Sequence, residues 1–101
     1  EDTVIGNGIA ATNNDRLVVN YKGYLEDGTQ FDNSYVRGEA FEFDLGQGQV
    51  VRGWDNGLWG MKVGGKRRLV IPPQMGYGSN GHGPIPPNST LIFEIELVEI
   101  R

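Results

Sequence analysis

The sequence predicts an α+β fold: one antiparallel sheet whose apolar face wraps a single short helix. Three observations carry this. Leu17 to Leu25, Phe41 to Leu45 and Leu91 to Ile100 all alternate with period two, the mark of strands with one buried and one wet face. Only one stretch, "VVRGWDNGLWGM" from Val50 to Met61, has helical spacing. Sixteen glycines and five prolines in 101 residues demand many tight turns, which suits a sheet better than a helix bundle.

Taken in chain order, Thr3 to Ile9 reads as a weak strand. In Leu17 to Leu25 the odd positions carry Leu17, Val19, Tyr21, Gly23 and Leu25, against Val18, Asn20, Lys22 and Tyr24. Asp27-Gly28 is a strong tight-turn signal, so the chain should run back antiparallel through Thr29 to Phe31. Phe41-Glu42-Phe43-Asp44-Leu45 repeats the alternation. In the helical stretch, Val51, Trp54, Leu58 and Met61 fall on one stripe and Gly53, Gly57 and Gly60 on the next. About eleven residues is marginal for a helix, and each interior glycine costs roughly 1 kcal/mol relative to Ala. Tertiary packing must therefore hold it, and the glycine stripe suggests another backbone close against it. Trp54 should be buried and Trp59 partly exposed. Arg67 to Ile71 is a further strand, stopped by Pro72-Pro73. In the last strand, Leu91, Phe93, Ile95 and Leu97 face inward, while Glu94 and Glu96 face water. Residues 1–101 read as one domain without linker or repeat.

Composition excludes several functions. The net charge of −4 argues against a nucleic-acid partner, which needs a clustered basic surface. Lys66-Arg67-Arg68 is short, and on a strand it splits between two faces. No apolar run is long enough to span a bilayer. Without cysteine and with one histidine, neither a disulfide framework nor a His/Cys metal site is possible, and no cofactor is implied. The chain opens on Glu1 rather than Met, as a processed protein or an excised domain would. The compartment stays open, with the cytoplasm preferred over a periplasmic or secretory lumen.

A catalytic machine is hard to find. His82 stands alone in a loop, and no serine sits in a nucleophile elbow. Gly76-Tyr77-Gly78-Ser79-Asn80-Gly81 matches a dinucleotide fingerprint in letters. Prolines surround it, so no helix can follow to receive a pyrophosphate. Asn88-Ser89-Thr90 fits a glycosylation sequon but reads first as the turn before the last strand. What remains is a set of aromatics: Tyr21, Phe31, Phe41, Trp54, Tyr77 and Phe93. They are either plain core or the lining of an open apolar pocket. Tyr77 sits in a Gly/Pro-rich loop, and functional side chains are often shown on loops.

At these residues the sequence closely resembles the FKBP family, the macrolide-binding peptidyl-prolyl isomerases. The resemblance lies in "VVNYKGYLEDGTQFDNS", "FEFDLGQGQVVRGWDNGLWGMKVGGKRRLVIPPQMGYG" and "IPPNSTLIFEIELVEI", in the family's order and over nearly the whole chain. It implies a curled five- to six-stranded antiparallel sheet around one short helix. It also implies a catalytic set of Asp32, Tyr77, Tyr21, Phe31, Trp54 and Phe93. Arg37 is the implied partner of Asp32, Phe41 a wall, and Val50 and Val51 the start of the helix, with the Val51 N–H facing the ligand. Trp54 is the floor, and Ile85 closes the wall with Phe93. The loop "SNGHGPIPP" is about one residue shorter than in the best-known small cytosolic members. The implied partners are proline-containing peptides, unfolded or surface protein segments, and the macrolides tacrolimus and rapamycin, met by a monomer. Rotation about a prolyl bond breaks no covalent bond, so it needs no nucleophile. A binding module that keeps the pocket without turnover is the second reading.

Overall fold

The computed structural model describes residues 1–101. Six strands form one antiparallel sheet: β1 (Asp2–Val4), β2 (Arg16–Leu25), β3 (Gln30–Asn33), β4 (Phe41–Asp44), β5 (Lys66–Ile71) and β6 (Leu91–Ile100). Their order is β1-β5-β6-β2-β3, with β4 also paired to β2. The alternating segments thus become strands within a residue or two of where the pattern places them. The weak first strand is shorter than expected, three residues against Thr3 to Ile9. Beyond it the chain carries Gly6 and Gly8, each pressed on the 63–65 backbone or on Val63, and it runs on without further pairing to β5.

β2 and β6 form the spine. They pair along their whole length, from Leu17 opposite Ile100 to Leu25 opposite Leu91. One face of this pair carries Leu17, Val19, Tyr21, Phe93, Ile95 and Leu97, all buried. The other edge of β2 is shared. β4 covers Arg16 to Val19, and β3 covers Lys22 to Tyr24. Between the two partners, at Tyr21, the ladder is interrupted. There the Tyr21 N–H donates to the Ser34 hydroxyl at 2.8 Å, so the gap leaves no orphan donor. Ser34 is fully buried and donates onward to Asn20 Oδ1 at 2.9 Å.

Ser34 opens a helix that the periodicity did not show, α1 (Ser34–Arg37). Four residues are too few for a helical pattern, but both ends are capped. The Asn33 side chain accepts from the Tyr35 and Val36 N–H groups, and Gly38 ends the helix at φ 70°. A 3₁₀ turn at Pro73–Met75 is likewise additional. The expected helix, α2 (Arg52–Gly57), has six residues and not eleven. Gly60, at φ 81°, is in the left-handed region and ends any continuation. Leu58 and Met61 still point inward from the following turn, 0% and 2% exposed.

α2 lies across the concave face of the sheet and has no side-chain cap at Val51. Packing and one carboxylate hold it. Asp55 accepts from the Gly46 and Gly48 N–H groups at 2.8 and 3.1 Å, tying the helix to the turn after β4. The glycine stripe does mark a close approach, but of side chains rather than a backbone. A Cβ at Gly53 would meet Ile71 at 2.7 Å, and one at Gly57 would meet Leu69 at 2.9 Å. Both partners lie on β5. The glycines let the helix sink onto that strand and bury Trp54, which is 4% exposed, while Trp59 stays 58% exposed.

Candidate functional site

Where α2 meets the interrupted edge of β2, the concave face stays open. The hollow there is about 130 Å³. Trp54 forms its floor. The ring centroids of Tyr21, Phe93 and Phe41 stand 5.0, 5.1 and 6.1 Å from the indole, with interplanar angles of 85°, 86° and 80°. Three rings therefore stand upright on a fourth, the edge-to-face geometry that aromatic quadrupoles favour. Phe31 extends one wall, edge-on to Phe93 at 5.6 Å. The volume is well below the roughly 300–1,000 Å³ of a site for a drug-sized ligand. It suits one small ring with the rest of the ligand lying outside.

The rim is polar. Asp32 comes from β3 and takes the Tyr21 hydroxyl on one carboxylate oxygen and Arg37 on the other. The Asn33 N–H also donates to it, at 2.8 Å. Arg37, from the last turn of α1, reaches the Tyr21 hydroxyl with its second nitrogen at 3.4 Å. The short capped helix thus delivers the cation that this carboxylate requires. Burial, and then the neighbouring Asp32 carboxylate, push the Tyr21 phenol above its usual range. Burial and the Asp32 charge do the same to Tyr77. Both phenols are therefore neutral donors at ordinary pH.

Val50 and Val51 line the side where α2 begins. The Val51 carbonyl accepts from Trp54 and Asp55, whereas its own N–H has no backbone acceptor. Tyr77 lines the opposite lip from its loop. Of the expected residues, Tyr21, Phe31, Asp32, Phe41, Val50, Val51, Trp54, Tyr77 and Phe93 meet at this one hollow, with Arg37 just behind Asp32. Ile85 does not line it. Its side chain packs into the core cluster instead, 5% exposed.

Two residues that sequence reasoning missed belong here. Gln49 lines the hollow, its amide held by Asp44. Gly23 makes space for it: a Cβ there would meet Phe31 at 2.7 Å and Phe93 at 3.0 Å. A glycine inside a strand is the available signal, since it weakens the strand unless something must come close. Gln49 had none beyond its place beside Val50.

Another hollow, of about 310 Å³, lies on the outer face between Tyr35, Lys22, Lys66, Arg68, Glu94 and Glu96. It is larger but lined by charge, and it shares no residue with the aromatic one.

Comparison with known proteins agrees with this geometry. The family model described as FKBP-type peptidyl-prolyl cis-trans isomerase matches residues 7–98. The chain is 50% identical over 101 residues to the FK506-binding protein of Neisseria meningitidis serogroup B, covering 99% of this chain and 93% of that protein. It is 52% identical over 96 residues to the FKBP-type peptidyl-prolyl cis-trans isomerase FkpA of Escherichia coli, covering 95% of this chain and 35% of that longer protein. The crystal structure of FkpA superposes with a TM-score of 0.92 at 50% identity, over 100% of this chain and 46% of that one. The structure of AtFKBP13 superposes with a TM-score of 0.94 at 40% identity, over 100% and 90%. With the match running across the strands, the helix and the aromatic hollow alike, the chain belongs to the FKBP-type peptidyl-prolyl cis-trans isomerases.

Proposed function

We propose that the hollow over Trp54 is where this isomerase turns X-Pro bonds. The prolyl ring sits on the indole between Tyr21, Phe41 and Phe93, and Phe31 extends the grip. The Val51 N–H and the Tyr77 hydroxyl hold the substrate backbone at the rim. The observation supporting this is the set of three upright rings around a buried indole, with open space between them.

The chemistry follows from the amide. Resonance resists rotation by ~18–20 kcal/mol, and uncatalysed prolyl exchange takes roughly 10–100 s. The planar amide is more charge-separated than the twisted one, so water favours the planar form. An apolar box favours it less and lowers the barrier. Fixed donors at the rim add orientation and electrostatic help. No bond breaks and no covalent intermediate forms. Asp32 is held by Tyr21 and Arg37, with both oxygens occupied; its task is to orient the Tyr21 wall and the rim.

The substrates are proline-containing peptides and the exposed or unfolded segments of proteins, so the molecule assists folding. Residues 1–101 act as one domain and as a monomer. Since the Neisseria relative is named for FK506, tacrolimus and rapamycin belong to the same site, with a ring seated on Trp54 and the macrocycle outside. In a Trp59→Phe variant, all tryptophan fluorescence comes from Trp54. Tacrolimus should then change that emission saturably and stop isomerisation at the same concentrations. Binding that leaves Trp54 emission unchanged would place the ligand elsewhere.

A further inference from the structure

The only histidine of the chain does not line the hollow, yet its ring lies flat on one that does. The His82 and Tyr77 centroids are 4.6 Å apart, with planes 10° from parallel. Tyr77 lines the lip of the hollow, and its hydroxyl has no hydrogen-bond partner in the chain. No polar contact fixes that side chain; its ring packs against the core cluster and against the imidazole. His82 is itself tied to the core. Its N–H donates to the Ile85 carbonyl at 3.0 Å, and the Ile85 N–H donates back to the His82 carbonyl at 2.8 Å. Ile85 is 5% exposed. Gly81, at φ 69°, lets the loop fold this tightly: a Cβ there would meet the Ile85 carbonyl oxygen at 2.5 Å. The buried Ile85 side chain therefore serves the lip indirectly, by anchoring the turn that carries the imidazole.

We infer that His82 is a positioning residue for the isomerase reaction. Its ring is a plate, set in place by the core, against which Tyr77 rests with its hydroxyl held for the substrate backbone. This rests on the role proposed for Tyr77. The plate works by its plane and its distance, so another flat ring can replace it, whereas a small side chain frees Tyr77 to visit other rotamers.

The test is a double-mutant cycle on kcat/KM for an X-Pro peptide, using His82→Ala, His82→Phe, Tyr77→Phe and the double variant His82→Ala/Tyr77→Phe. His82→Ala should lower kcat/KM about three- to tenfold, the size expected from losing one stacked contact. His82→Phe should recover to within about twofold, and His82→Ala should cost less than about twofold once the Tyr77 hydroxyl is gone. Thermal midpoints should stay together across the set, because the ring of His82 sits in a surface loop. Two results overturn the inference alone while Tyr77→Phe remains impaired: His82→Ala at full activity, or effects of the two substitutions that simply multiply. A loss that tracks a lowered thermal midpoint and is not restored by His82→Phe also overturns it. Full activity in Tyr77→Phe overturns both the inference and the proposed role of Tyr77.

Discussion

Asp32 shows how much one side chain organises. Its carboxylate gathers a phenol from β2 and a guanidinium from α1, and it is one-third exposed. Hydrogen bonds to charged groups contribute about 1.5–3 kcal/mol each. If they position the rim, Asp32→Ala should cut kcat/KM by roughly tenfold or more, with most of the stability retained. Peptide exchange kinetics beside a urea midpoint would check this, and full activity in Asp32→Ala would remove the residue from the site. Gly23 makes the complementary case. Gly23→Ala must push Phe31 or Phe93, and overpacking of this kind costs typically about 1–3 kcal/mol. The expected outcome is a narrowed hollow, seen as weaker tacrolimus binding in calorimetry. Alternation picked out Tyr21, Phe41 and Phe93 and helical spacing picked out Trp54, but periodicity marks only burial, and it was the family resemblance that made these residues, with Tyr77, a pocket. Gly23 left only the weaker sign of a glycine inside a strand, and Gln49 left none, since it acts by adjacency.

At the scale of the element, α2 is held by its surroundings. Its helical stripe was readable, and so was the burial of Trp54. Its length was not, because the helix ends at Gly57 while Leu58 and Met61 keep the inward spacing through the following turn. α1 was invisible to periodicity, although Asn33 before it and Gly38 after it are both capping residues. Two glycine substitutions in α2 separate helix propensity from packing. Gly→Ala gains roughly 1 kcal/mol in a free helix. At Gly53 the new methyl meets three side-chain carbons of Ile71 at 2.7 Å, whereas at Gly57 it meets only the mobile end of Leu69 at 2.9 Å. Gly53→Ala should therefore be net destabilising, by about 1–2 kcal/mol. Gly57→Ala should be distinctly milder. Chemical denaturation of the two variants side by side would show the order, and equal effects would mean that β5 yields alike at both places.

At the scale of the whole molecule, the sheet joins residues far apart in the chain. β2 and β6 zip residues 16–25 to 91–100, and the Tyr35 hydroxyl of α1 donates to Glu96 of β6 at 2.9 Å. Burial, then Glu96, push the Tyr35 phenol up to about 12. An unfolded tyrosine ionises near ~10. Between those values the folded chain keeps a proton that the unfolded chain loses, so stability is intact below pH ~10 and declines as pH rises toward ~12. Tyr35→Phe should flatten that part of the decline in urea midpoints relative to wild type. The overall architecture was legible because alternation specifies strands and Asp27-Gly28 specifies a hairpin. The sharing of one β2 edge by β3 and β4 was not, since it depends on the buried Ser34 filling the break at Tyr21. Tyr21, at that break, lines the hollow, so the most direct test of the account is to find where a substrate sits. An X-Pro peptide titrated into isotopically labelled protein should shift the resonances of Tyr21, Phe41, Val51, Trp54, Tyr77 and Phe93, and tacrolimus should displace it. Shifts confined to the outer face around Lys22, Lys66 and Arg68, with the Trp54 indole unmoved, would contradict it.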